Sequence, residues 1–171
     1  MEKPRAGVLT VSDSAATKGG RQDTSGPLAA ELLSKAGFLI TATATVPDEQ
    51  KDISELLRKW SDELCLELVI TTGGTGLFPR DVTPEATANI IEREVSGIQE
   101  AIRAAGMRHT PRAMLSRGLA GIRGETLVIN LPGSPSAVKE GLETVMPVLE
   151  HAIAKIKGDT TPCGHHPHHN R

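Results

Sequence analysis

Short β-branched runs alternate with helix-patterned stretches along the chain, and this alternation constrains the fold more than any other feature. Ala6 to Val11, Phe38 to Val46, Leu66 to Ile70 and Thr126 to Asn130 have the length and residue types of strands. Pro27 to Lys35 reads as a helix ended by Gly37. Glu49 to Glu63 reads as another, with Ile53, Leu56, Leu57 and Trp60 on one face. Two shorter helices are predicted over Pro84 to Val95 and Gly97 to Met107, and a long one over Pro135 to Lys157 with a kink at Pro147. Met114 to Gly124, punctuated by Gly118, Gly121 and Gly124, is predicted as a bent or hairpin strand pair. Strands separated by helices imply an α/β fold with a mostly parallel sheet covered on both faces.

The strand ends carry the chemistry. Val11 runs into Ser12-Asp13-Ser14, Val46 into Pro47-Asp48-Glu49, and Ile129 into Asn130-Leu131-Pro132-Gly133-Ser134-Pro135. Ile70 runs into Thr71-Thr72-Gly73-Gly74-Thr75-Gly76, with Asp81 five residues past the last glycine. In an open α/β sheet the carboxyl ends of the strands lie along one edge, where ligands bind. Glycines let backbone amides approach a ligand closely, and amides at a turn or a helix N-terminus attract phosphate. Thr83 is predicted as the N-cap, and Pro84 as the first residue, of the helix that follows. The loop is not a Walker A, since no lysine follows it, and it lacks the third glycine of the dinucleotide pattern. Each piece also has a plainer reading. Asp48 can serve as a helix N-cap, Asp13 as a turn residue and Ser134 as a cap. The convergence of four strand ends favours a shared crevice holding a metal-bound polyphosphate.

Composition narrows the field. A chain of 171 residues fits one domain with a sizeable core, and at 2% aromatic that core must be aliphatic and alanine-rich. A net charge of −2 and the lack of aromatic stacking platforms argue against nucleic acid as a partner. No apolar stretch approaches membrane-spanning length, and the first residues lead straight into a strand, so no signal peptide is expected. Cys65 and Cys163 lie far apart, outside metal-ligand spacing, and are expected as reduced thiols of a cytoplasmic protein.

Several separated motifs resemble one family. They are Thr10-Val11-Ser12-Asp13, Val46-Pro47-Asp48, the run from Thr71 through Thr87, Met114-Leu115-Ser116-Arg117, Ala120-Gly121-Ile122-Arg123-Gly124 and Asn130-Leu131-Pro132-Gly133-Ser134. Together, over roughly residues 5 to 158, they are similar to the molybdopterin adenylyltransferases and the G domains of gephyrin-like and plant molybdenum cofactor proteins. The resemblance implies a three-layer αβα sandwich, a homotrimer, and Mg²⁺-dependent transfer of AMP from ATP to the terminal phosphate of molybdopterin, releasing pyrophosphate. It implies Asp48 and Asp81 as catalytic and metal-binding residues, and a molybdate-inserting protein or fused domain as the next partner. Ser12, Asp13, Gly73, Gly74, Thr75, Gly76 and Ser134 are expected to contact substrate. Arg80, Arg117 and Arg123 are candidates for neutralising phosphate or for ion pairing with Asp or Glu. No protein nucleophile is needed, because the attacking group is the pterin's own phosphate. The alternative is a molybdopterin-binding, self-associating scaffold module; a generic nucleotide-binding protein is a third option.

The catalytic domain is expected over residues 1–158 and a His- and Pro-containing tail or linker over 159–171. Four histidines and Cys163 in that tail could bind a soft or borderline metal, or the segment is simply solvated. His109 and His151, near helix ends, are read as structural.

Overall fold

A computed structural model of the protein describes residues 3–160. Strand β1 spans Arg5–Val11, β2 Leu39–Val46, β3 Leu68–Thr72, β4 Arg93–Glu94, β5 Ala120–Arg123 and β6 Thr126–Leu131. They form one sheet in the order β2-β1-β3-β6-β5-β4. The first four of these neighbours are parallel, while β5 pairs antiparallel with both β6 and β4. Helices α1 (Asp13–Ala16), α2 (Ser25–Lys35), α3 (Gln50–Arg58), α4 (Thr83–Ala88), α5 (Ser96–Met107) and α6 (Pro135–Ile156) connect them.

The period of two along each strand sorts side chains into two cores. Ala6, Val8, Leu68, Ile70, Leu127 and Ile129 face α2, α5 and α6, meeting Leu33, Ile102 and Leu142. Leu9, Val11, Val69 and Val128 face the other way, onto Ile53, Leu57, Trp60 and Ile90 from α3, α4 and their flanks. Both faces of the central strands are therefore buried, which is why their sequences read as continuous apolar runs. The three-layer αβα sandwich with a mostly parallel sheet is the observed architecture.

Three elements differ from the sequence expectation, each for a tertiary reason. The helix predicted over 84–95 stops at Ala88, because Glu92 N–H and Val95 N–H bond to Ile122 and Ala120 carbonyls and draw the chain into β4. The helix predicted over 49–63 keeps α geometry only to Arg58 and then widens to a π-turn over Lys59–Glu63. That turn presents Trp60 to the sheet at Gly7, where a Cβ would stand 2.7 Å from the indole. Of the segment 114–124, only Ala120–Arg123 is strand, and its two partners lie outside the segment. Helix α6 runs through Pro147 as one element, with the proline on its exposed face.

The strand order turns at β1, since the chain first adds β2 on one side and then β3 on the other. In such sheets the carboxyl ends flanking that reversal open a crevice. Ser12-Asp13 and the glycine loop occupy those ends.

Candidate functional site

Thr72, the last residue of β3, hands the chain to Gly73 and Gly74, both at positive φ, +94° and +62°. Gly73 is closely enclosed: a Cβ there would lie 2.2 Å from the Val11 carbonyl, and its Cα faces Gly133. Its amide donates to Leu131 O. The Thr83 amide returns to Gly74 O, and the Thr83 hydroxyl donates to Gly73 O at 2.9 Å. Thr83 is thus inside α4 rather than its N-cap, and its side chain pins the glycine loop instead of the helix end. With six residues and its first amide turned to Gly74, α4 adds little as an anion-binding terminus. The loop itself supplies the donors. The amides of Gly74, Thr75 and Gly76 donate to no group among the described residues. Three successive free N–H groups on such a turn form an anion-binding nest.

Two carboxylates flank this nest. A Cβ on Gly74 would stand 3.0 Å from Asp48 Oδ1, and one on Gly76 would stand 2.8 Å from Asp81 Oδ2. Asp48 is half-buried and does not cap a helix, since α3 begins at Gln50 with Glu49 ahead of it. Instead it exchanges bonds with Asp13: Asp13 N–H donates to Asp48 Oδ2 at 2.8 Å, and Asp48 N–H donates to Asp13 Oδ1 at 3.0 Å. Asp81 Oδ2 accepts from Phe78 N–H at 2.9 Å. Each acid therefore keeps one oxygen, Asp48 Oδ1 and Asp81 Oδ1, without a hydrogen-bond donor among the described residues. Burial pushes the Asp48 carboxyl above its ordinary value. The Asp13 amide opposes that shift, the Asp13 and Asp81 carboxylates add to it, and Arg80 offsets part of it.

Arg80 is bound to protein carboxylates. Its Nε and Nη2 donate to the two Asp13 oxygens at 2.8 Å each, and Nη1 pairs with Glu49 at 2.9 Å. That bidentate contact holds the Asp13 carboxyl below its usual range. Asp13 stands beside Asp48, with both oxygens engaged by Arg80 and one also by the Asp48 amide. Arg117 is bound to Glu85 and to loop carbonyls. Arg123 is not at the site at all. It lies at the β5–β6 turn, the opposite end of the sheet, in an ion pair with Asp62.

Two adjoining cavities open at this edge, of about 460 Å³ and about 330 Å³, and they share Gly73, Gly133 and Ser134. Gly74, Thr75, Gly76 and Asp81 line the larger, with Ile102 and Arg103 opposite; Ser12 and Thr72 line the smaller. Ser12 and Ser134 also cap α1 and α6 through Ala15 N–H and Ala137 N–H. Ser12, Ser134, the glycine loop and Asp81 line these cavities, whereas Asp13 and Asp48 line neither; Asp48 stands beside them at Gly74.

The sequence model of the probable molybdopterin binding domain matches residues 7–151. The chain belongs to this molybdopterin-binding domain family. It is 40% identical over 163 residues to a molybdopterin adenylyltransferase of Helicobacter pylori, an alignment covering 93% of this chain and 91% of that protein. It is 44% identical over 163 residues to the molybdenum cofactor synthesis protein cinnamon of Drosophila melanogaster, covering 94% of the chain and only 27% of the longer relative. The crystal structure of the molybdopterin biosynthesis enzyme MoaB from Thermus thermophilus superposes with a TM-score of 0.85 at 50% identity, covering 91% of this chain and 97% of that one.

Some features of this molybdopterin-binding domain were not read from its sequence. Asp23 accepts from Ser25 N–H, Gly26 N–H and the Thr10 hydroxyl, tying the start of α2 to the end of β1. Its signal was the Asp23-Thr24-Ser25-Gly26 run, an Asx-turn pattern. The Thr72 hydroxyl, buried beside the smaller cavity, has no hydrogen-bond partner among the described residues, and nothing local announces it. Cys65 is a free, exposed thiol, whereas Cys163 and the tail histidines lie outside the described residues. No helix among the described residues is long and apolar enough to cross a membrane.

Proposed function

We propose that this molybdopterin-binding domain is a molybdopterin adenylyltransferase, joining AMP from ATP to the terminal phosphate of molybdopterin and releasing pyrophosphate. One observation carries the reading: three free amides of the glycine loop stand between two acids that each retain an unbonded oxygen. Two cavities meeting at that loop suit a transfer between two substrates. The identity to named adenylyltransferases over most of the chain points the same way.

The donor set fits Mg²⁺. Burial above all raises the Asp48 carboxyl, the Asp13 and Asp81 carboxylates add to it, and a divalent cation would favour its charged form. No group of three or more His, Cys, Asp or Glu among the described residues is arranged to hold a metal. Mg²⁺ would then sit on Asp48 and Asp81, with phosphate oxygens and water completing its shell. When bound, it supplies charge neutralisation at the phosphates being brought together. The protein contributes position: the nest amides orient phosphate oxygens, Ser134 contacts the substrates from the wall the cavities share and Ser12 from the smaller one, and Asp13 holds Asp48. The attacking oxygen belongs to the pterin phosphate, so no side chain forms a covalent intermediate. The reading includes a homotrimer, a cytoplasmic setting and a molybdate-inserting partner or fused domain.

Asp81→Asn tests it. The amide keeps an oxygen to accept from Phe78 N–H, so the loop stays in place. AMP transfer, followed as adenylylated molybdopterin and pyrophosphate, should fall about a hundredfold or more, as when one group that stabilises charge in the transition state is removed. Folding and molybdopterin binding should persist. Undiminished turnover in the folded variant would remove Asp81 from the chemistry. If the unaltered protein binds molybdopterin but forms no product with any divalent metal, the domain is a scaffold module instead.

A further inference from the structure

We infer that Arg117 is a positioning residue that fixes the loop carrying Asp81 and makes no contact with substrate phosphate. The inference rests on the role of Asp81 proposed above. Between Gly76 and Asp81 the chain turns outward, and its apolar side chains bury little: Leu77 is 64% and Phe78 68% exposed. Packing therefore cannot set the loop's conformation, and the polar contacts at its two ends must.

Arg117 reaches both ends. Its Nε donates to Gly76 O at 2.8 Å and its Nη2 to Asp81 O at 2.6 Å. Its own amide donates to Thr75 O at 2.9 Å, and Nη1 pairs with Glu85 on α4. A planar guanidinium fixes the spacing and angle between its acceptors, whereas a lysine ammonium offers one point charge on a flexible stem. Inside the loop, Asp81 N–H bonds to Phe78 O and Asp81 Oδ2 accepts from Phe78 N–H. These two bonds close the turn only while its ends keep their spacing, which the Arg117 grip sets, and the same grip fixes where the turn sits relative to the nest. The charge is already matched, because the guanidinium holds the Glu85 carboxyl below its usual range.

Arg117→Lys is the diagnostic variant, since it keeps the charge and removes the two-point grip. Measured on the full chain, kcat should fall by about 10- to 100-fold, the scale of a catalytic group displaced by an ångström, with KM for ATP nearly unchanged. In a cycle with Asp81→Asn, the double variant should be no slower than Asp81→Asn alone, because a misplaced group and an absent one fail at the same step. Hydrogen exchange supplies a readout free of turnover: the Phe78 amide should lose protection in Arg117→Lys while β1 and β3 amides keep theirs. Full kcat in Arg117→Lys, fully additive losses in the cycle, or unchanged exchange at Phe78 would each overturn the inference. Full turnover in Asp81→Asn instead overturns the catalytic reading, and the exchange result then still judges the Arg117 clamp.

Discussion

Gly74→Ala tests whether the glycine loop is held by its surroundings or merely tolerates an unusual backbone. At φ +62° an alanine incurs the cost of placing a Cβ in the left-handed region, about 1–2 kcal/mol. The new Cβ also meets the Thr83 hydroxyl at 2.3 Å, too close for any real contact, and Val11 Cγ1 at 3.3 Å. Thr83 is fully buried and its hydroxyl bonds to Gly73 O, so displacing it leaves buried polar atoms unmatched at a further ~1–3 kcal/mol. The sum is about 2–5 kcal/mol. Gly124→Ala is the control, since Gly124 also has positive φ, +54°, but nothing lies within 4 Å of its Cβ position. It should cost only the backbone term, about 1–2 kcal/mol. Urea unfolding of both variants, with equal slopes, gives the difference directly. If the two agree within about 0.5 kcal/mol, the linkage of Thr83 to the loop is not what holds it, and the crowding argument fails.

Asn130→Ala should be among the most destabilising single changes in the sheet. The Asn130 side chain donates to the Thr71 and Thr87 hydroxyls and accepts from Leu119 N–H, all in the buried layer beneath the loop. Orphaning these groups should cost about 3 kcal/mol or more by urea unfolding, and a loss under about 1 kcal/mol would show that the network relaxes freely. A third expectation concerns acid. Hydrogen bonding from Arg123 holds the Asp62 carboxyl below its ordinary 3.8, so this pair's contribution is full above that value and is lost as pH falls through the lowered folded-state value. Arg123→Gln should therefore flatten the fall of stability below pH 3.8 without altering AMP transfer, because the pair lies at the far end of the sheet.

Much of the architecture was legible because burial leaves a local trace. Central strands covered on both sides read as apolar runs, while β2, half-exposed, shows the alternating Ala and Thr of Leu39–Val46. The failures mark places where a distant partner outweighed local pattern. Ile90 and Ile91 continue a helical period, yet the β5 carbonyls pull the segment into β4. The π-turn at Lys59–Glu63 depends on Gly7, fifty-odd residues away, leaving room for Trp60. Helix α1 is too short to have a period.

The same division governs the site. Asp48, Asp81 and the glycines sit at strand ends, and the strand ends are visible in sequence. The arginine roles were not, since Arg80 meets Asp13 across 67 positions and Arg117 meets Gly76 across 41. Their placement changes the electrostatic argument. A phosphate site is expected to offer cationic side chains, but Arg80 is tied to Asp13 and Glu49, and Arg117 to Glu85 and loop carbonyls. The rim between the two acids instead presents bare amides and unbonded carboxylate oxygens. Amides alone carry too little positive charge to bring two phosphate groups into contact, and the carboxylates work against it. Arg103 and Arg112 line the larger cavity and offer cationic side chains there, so under the proposed reaction a metal ion brought by the nucleotide would serve the rim between the two acids. Asp48 and Asp81 are themselves held by the Asp13 and Phe78 amides, so under that reading their unbonded oxygens stay open to such a cation.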